Sequence, residues 1–126
     1  MNEKEIIVSS LPKTWILDLD GTIVKHNGYK IDGKDTLLQG AKEFFQSIAD
    51  EDMIVFITSR DKKYKKETEE FLHENNIRYN SIIYNAPYGE RILINDRKPS
   101  GLYMARAINP KRDKFMTEKI VIDKKL

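Results

Sequence analysis

Three short apolar runs, each ending in polar residues, constrain the fold of this chain more than any other feature. Trp15-Ile16-Leu17 runs into Asp18-Leu19-Asp20-Gly21-Thr22, Met53-Ile54-Val55-Phe56-Ile57 into Thr58-Ser59-Arg60, and Arg91-Ile92-Leu93-Ile94 into Asn95-Asp96. Short continuous apolar runs are the pattern of strands buried on both faces of a parallel sheet. Helical patterns separate them. Leu37, Leu38, Ala41, Phe44, Phe45, Ile48 and Ala49 share one helical face, and Asp35 can cap that helix. A second helix is predicted over 61–75, with Tyr64, Thr68, Phe71 and Leu72 as its inner stripe and a solvated outer face of lysines and glutamates. Ser81-Ile82-Ile83-Tyr84 reads as a further strand, 100–108 as a helix opened by Pro99, and 119–123 as a last strand. The expected fold is α/β: a Rossmann-like, mostly parallel sheet with helices on both faces.

The polar strand ends carry the chemistry, because open α/β sheets place their sites at the carboxyl ends of strands. Asp18 and Asp20, two apart on an extended segment, point to the same side. One can attack as a nucleophile while the other moves a proton or helps hold a metal. Gly21 permits a sharp turn there, and the Thr22 hydroxyl can tie it.

The order of these motifs resembles the haloacid dehalogenase-like superfamily of phosphohydrolases, over roughly residues 13–109. The resemblance implies that Asp18 attacks phosphorus and that Asp20 serves as general acid and base. It implies phosphoryl binding by Thr58 and Ser59, and a Mg²⁺ ion held by Asp18, Asp20 and Asp96. Asp96 also sits in Asn95-Asp96-Arg97-Lys98-Pro99, a stretch rich in turn residues. Asp20 favours phosphatase or phosphotransferase chemistry over dehalogenation. One departure is plain: Ala86 stands where the family's phosphate-binding lysine is expected. Arg91 and Lys98 are the candidate replacements. Lys98 is preferred, because an Arg91 that opens a strand lies at the opposite end of the sheet from the site. Neither gap between motifs is long enough for a cap domain.

The segment 94–102 resembles small capless proteins of bacterial capsule and surface-polysaccharide synthesis, which implies a phosphorylated sugar or sugar-acid substrate and a homo-oligomer. The leading expectation is a Mg²⁺-dependent phosphomonoesterase on a small phosphorylated metabolite. The alternatives are a phosphatase for nucleotides or macromolecular phosphate, and a catalytically weak binding or regulatory module.

Composition bounds the rest. The chain has 126 residues, one domain's worth, with residues 1–12 expected as an arm or edge strand and 23–34 as a flap loop over the strand ends. His26, within that flap, is read as a solvated loop histidine. Lys and Arg total 22 against 20 Asp and Glu, and a net charge of +2 gives no case for nucleic acid or a membrane surface. Without cysteine there is no disulfide framework, thiolate metal site or cysteine nucleophile. The apolar Ile6-Ile7-Val8 is too short for a secretory leader's core, and a cytoplasmic protein is expected.

Overall fold

The computed structural model describes residues 5–116 and 118–126. Its elements are strands β1 (Glu5–Val8) and β2 (Thr14–Leu17), helices α1 (Gly28–Ile31) and α2 (Ala41–Ser47), and strand β3 (Met53–Ile57). A 3₁₀ turn (Lys62–Tyr64) then leads into helix α3 (Lys65–Glu74), followed by strands β4 (Ser81–Ile83) and β5 (Lys119–Ile122). The protein is α/β, and among the described residues its five strands all pair in parallel. One sheet has the order β2-β3-β4, and a second consists of β1 beside β5. Within the segment expected as an arm or edge strand, Glu5–Val8 is a strand, with Ile6 opposite Ile120, and residues 1–4 lie outside the described residues.

Strand β3 sits at the centre of the larger sheet, and its side chains alternate. Ile54 and Phe56 are fully buried, and their register partners Trp15, Leu17 and Ile82 pack against the same core. The helices supply the other side of that core. Phe45 of α2 meets Phe56 with ring centroids 5.8 Å apart, Phe44 meets Trp15 edge-on at 5.4 Å, and Leu72 of α3 is buried in the same cluster. Asp52 joins the starts of two strands: its carboxylate accepts the Lys13 backbone N–H at 3.0 Å and the Trp15 indole N–H at 2.9 Å.

The opposite face of this sheet is open: Ile16, Met53 and Ile83 are each about half exposed. The elements expected to extend and cover the sheet have not formed. Residues 91–94 are irregular, with Ile92 and Ile94 at least four-fifths exposed, and 100–108 contains no helix. The Arg91 side chain reaches Asp18 just beyond the carboxyl end of β2, and the segment that follows it pairs with no strand among the described residues. The flap also differs from a plain loop, since its middle winds into α1. Helix α2 begins only at Ala41, with Gly40 rather than Asp35 ahead of it. Among the described residues no helix is long and apolar enough to cross a membrane.

Candidate functional site

The turn after β2 builds the site. Leu19 is buried, so its neighbours Asp18 and Asp20 face away from the core, as the two-residue spacing requires. The Leu19 carbonyl accepts backbone N–H groups from Thr22, Ile23 and Val24 at 3.2, 2.9 and 3.2 Å, which curls the chain back over itself. Gly21 has φ of 83°, a left-handed conformation that glycine adopts without strain. The Thr22 hydroxyl donates to Asp18 Oδ2 at 3.0 Å and fixes the carboxylate.

Strand β3 delivers the second wall through the same alternation: Thr58 and Arg60 turn inward and Ser59 outward. Thr58 is buried, and its hydroxyl oxygen accepts the Arg60 backbone N–H at 3.1 Å, so it shapes the turn beneath the site. Arg60 is the centre of the buried polar structure. Its Nε and Nη2 donate to the two Asp20 oxygens at 3.0 and 3.1 Å. Its Nη1 donates to Asp35 Oδ2 and to Thr68 Oγ1, both at 2.9 Å, and its Nη2 also reaches Asp35 Oδ1. The Tyr29 ring lies over the guanidinium, 4.0 Å from centroid to Cζ. Burial works against the Arg60 charge, but the hydrogen bonds from Asp35 and Asp20 outweigh it and hold the pKa above the ordinary arginine value. Burial, and next the Asp20 charge, push the Tyr29 hydroxyl up.

Asp18 has a different partner. Arg91 Nη1 donates to Asp18 Oδ1 at 3.1 Å, and Arg91 Nη2 lies 3.4 Å from Ser59 Oγ. Asp18, Asp20, Ser59, Arg60 and Arg91 share a cavity of about 600 Å³. A smaller one of about 290 Å³ adjoins it, sharing Tyr29, Lys30, Ser59 and Tyr88. His26 lines the larger cavity instead of standing free in a loop, and its backbone N–H donates to Asp113 Oδ1 at 2.7 Å.

Two expected site residues lie elsewhere. Asp96 and Lys98 are exposed in the irregular segment. The Asp96 carboxylate meets only the side-chain amide of Asn95 among the described hydrogen bonds, and the Lys98 backbone N–H donates to Leu102. Without a strand over 91–94, nothing carries these two residues to the carboxyl end of β2. Thr58 is present beneath the site but lines neither cavity. For a divalent cation the donor set is short. Among the described residues no group of three or more His, Cys, Asp or Glu side chains could hold a metal. Asp18 and Asp20, with their oxygens turned to Thr22, Arg91 and Arg60, do not form such a site as arranged.

Compared with family models, curated proteins and solved structures, the chain matches none, so its site is read from its own residues. Sequence reasoning missed Arg60 and Asp35 as partners. Arg60 was visible at the end of a predicted strand, and Asp35 had a local explanation as a helix cap that concealed a distant one.

Proposed function

We propose that this chain is a phosphomonoesterase that works through an aspartyl-phosphate intermediate. The observation that carries the reading is the common cavity in which Asp18, oriented by Thr22 and Arg91, stands beside Asp20, oriented by Arg60. Asp18 attacks the phosphorus of a monoester and forms the acyl phosphate as the bond to the leaving oxygen breaks. Asp20, entering the step protonated with one oxygen freed from Arg60, gives the leaving alcohol its proton. Water then attacks the acyl phosphate, Asp20 takes the proton from that water, and inorganic phosphate leaves with Asp18 regenerated. Arg91 and Ser59 are the groups placed to meet the phosphoryl oxygens, with Arg91 exchanging Asp18 for substrate as charge moves onto the transferring group.

Charge compensation is assigned to Arg91, which already donates to Asp18 and lies beside Ser59. The resemblance adds Mg²⁺ to the reading, along with a phosphorylated sugar or sugar acid as substrate, a homo-oligomer and a cytoplasmic setting. A second reading, a domain that binds phosphorylated ligands without turning them over, is favoured by the arginine already paired with each site carboxylate.

Phosphate release from a panel of sugar phosphates and nucleotides, with Mg²⁺ and with EDTA, tests the proposal beside Asp18→Asn. Release by the native protein is expected, with a loss of at least about a thousandfold in the variant. Turnover in EDTA leaves compensation with Arg91, whereas strict Mg²⁺ dependence means that Asp18 gives up Arg91 for the cation. No release from any ester by folded protein would select the binding reading.

A further inference from the structure

Four side chains of fixed positive character line the main cavity: Lys30, Arg60, Arg91 and Arg112. Two of them are matched by site carboxylates, Arg60 by Asp20 and Arg91 by Asp18. Among the described residues neither Lys30 nor Arg112 forms a salt bridge. Four cations against Asp18, Asp20 and Asp35, the second carboxylate on Arg60, leave a surplus of one positive charge at this concave space. Such a surplus raises the local concentration of anions and repels cationic ligands.

The placement of Arg112 is built into the fold. The next residue, Asp113, has a left-handed backbone (φ 63°), and its N–H donates to the Gly21 carbonyl at 2.8 Å. Its carboxylate accepts the His26 N–H, so this turn is fastened to the turn that carries Asp18 and Asp20. The Arg112 stem packs so closely over Gly21 that a Cβ there would stand 3.0 Å from Arg112 Cγ. Lys30 comes from another direction. It belongs to α1, whose Tyr29 lies on Arg60, and it lines both the main cavity and the smaller one beside it. The two unmatched cations therefore stand on separate segments, each tied to the site by its neighbour in sequence.

We propose that Arg112 and Lys30 form a subsite for a second anionic group, a carboxylate or a further phosphate, on the part of the substrate that becomes the leaving alcohol. This inference rests on the phosphomonoesterase reading and narrows it to phosphate esters that are acidic at both ends. The phosphoryl group meets Arg91 and Ser59, while the second anion takes the charges that no protein carboxylate satisfies. Arg112 offers a planar fork suited to either oxyanion, and Lys30 a single mobile charge.

The test compares kcat/KM for matched esters: 6-phosphogluconate against glucose 6-phosphate, and fructose 1,6-bisphosphate against fructose 6-phosphate. The doubly acidic member of at least one pair is expected to be preferred by about tenfold or more, the size of one charge-assisted hydrogen bond. Whichever pair shows the larger ratio separates carboxylate from phosphate. Arg112→Gln and Lys30→Gln are each expected to pull that ratio toward one, whereas a merely structural role would lower both members of a pair alike. Equal rates within both pairs, or a preference that survives both substitutions, overturns the subsite. If no ester is hydrolysed, the phosphomonoesterase reading falls and calorimetry decides the subsite by itself. Tighter binding of the acidic esters, lost in Arg112→Gln, upholds it, and equal binding within each pair refutes it.

Discussion

Arg60 and Arg91 stand over neighbouring carboxylates in one cavity, yet they are held in opposite ways. The Arg60 side chain is 2% exposed and makes five hydrogen bonds, to Asp20, Asp35 and Thr68, under the Tyr29 ring. The Arg91 side chain is 39% exposed and makes one 3.1 Å bond to a carboxylate that is itself 32% exposed. A guanidinium buried that completely has exchanged all of its water for protein, and removing it strands two carboxylates. Arg91 keeps water within reach and can release Asp18 at small cost. The difference sorts the two carboxylates by task. Asp20 is held in one orientation, as a proton-transferring group needs. Asp18 has a partner that can be traded for a substrate oxygen, as a nucleophile needs.

The contrast breaks most visibly at Arg60. Arg60→Met should destabilise the fold by about 3–5 kcal/mol, the usual cost of removing one partner from a buried ion pair. Urea denaturation measures it, and a loss below about 1 kcal/mol would mean that Asp20 and Asp35 find water or other partners. Arg91→Gln should cost no more than about 1 kcal/mol of stability, as exposed pairs do. It should nevertheless lower phosphate release by about a hundredfold, the typical loss of one charge-stabilising donor. An Arg91→Gln protein that loses several kcal/mol of stability, roughly the cost of breaking a buried pair, yet keeps its turnover would reverse the assigned roles.

A third polar cluster, away from the cavity, provides an intermediate case and a pH test. Glu69 accepts hydrogen bonds from Lys65, Tyr84 and Tyr79 at 2.6, 3.0 and 3.1 Å. Burial pushes its carboxyl up, but the hydrogen bonds from Lys65, Tyr84 and Tyr79 prevail and hold it below the ordinary value of 4.5. A carboxylate with a depressed folded pKa binds fewer protons folded than unfolded. Its stabilisation is therefore complete above the unfolded value and is lost as the pH falls through the folded one. Burial and the Glu69 hydrogen bond push both tyrosines up from 10.0, so their contribution fades as the pH rises above the unfolded value. Glu69→Gln should flatten the acid limb below about pH 4.5 in thermal melts and cost about 1 kcal/mol at neutral pH. An unchanged acid limb would place the pH dependence elsewhere. Its cost should fall near that of Arg91→Gln and well short of that of Arg60→Met.

How legible the molecule was depended on how local its causes were. Strands β2, β3, β4 and β5 and helix α3 were readable, because a run of apolar residues or a stripe at helical spacing already states which side is buried. The stretch 91–108 carried equally good local signals and formed neither the strand nor the helix. Its apolar residues needed a sheet edge and a covering layer, and Ile92 and Ile94 found neither, remaining at least four-fifths exposed. Asp96 and Lys98 lost their expected places with it.

The sequence by itself determined the parallel α/β character, the paired carboxylates at the end of β2, and the polar end of β3 that carries Ser59 to the site. Each follows from chain geometry over a few residues. Only the tertiary structure decided which cation meets which carboxylate. Arg60 reaches Asp20 across 40 positions, Arg91 reaches Asp18 across 73, and Asp113 reaches the His26 backbone across 87. Charge pairing at such separations depends on how the elements pack and on which groups lose their water, and neither is written in any short stretch of sequence.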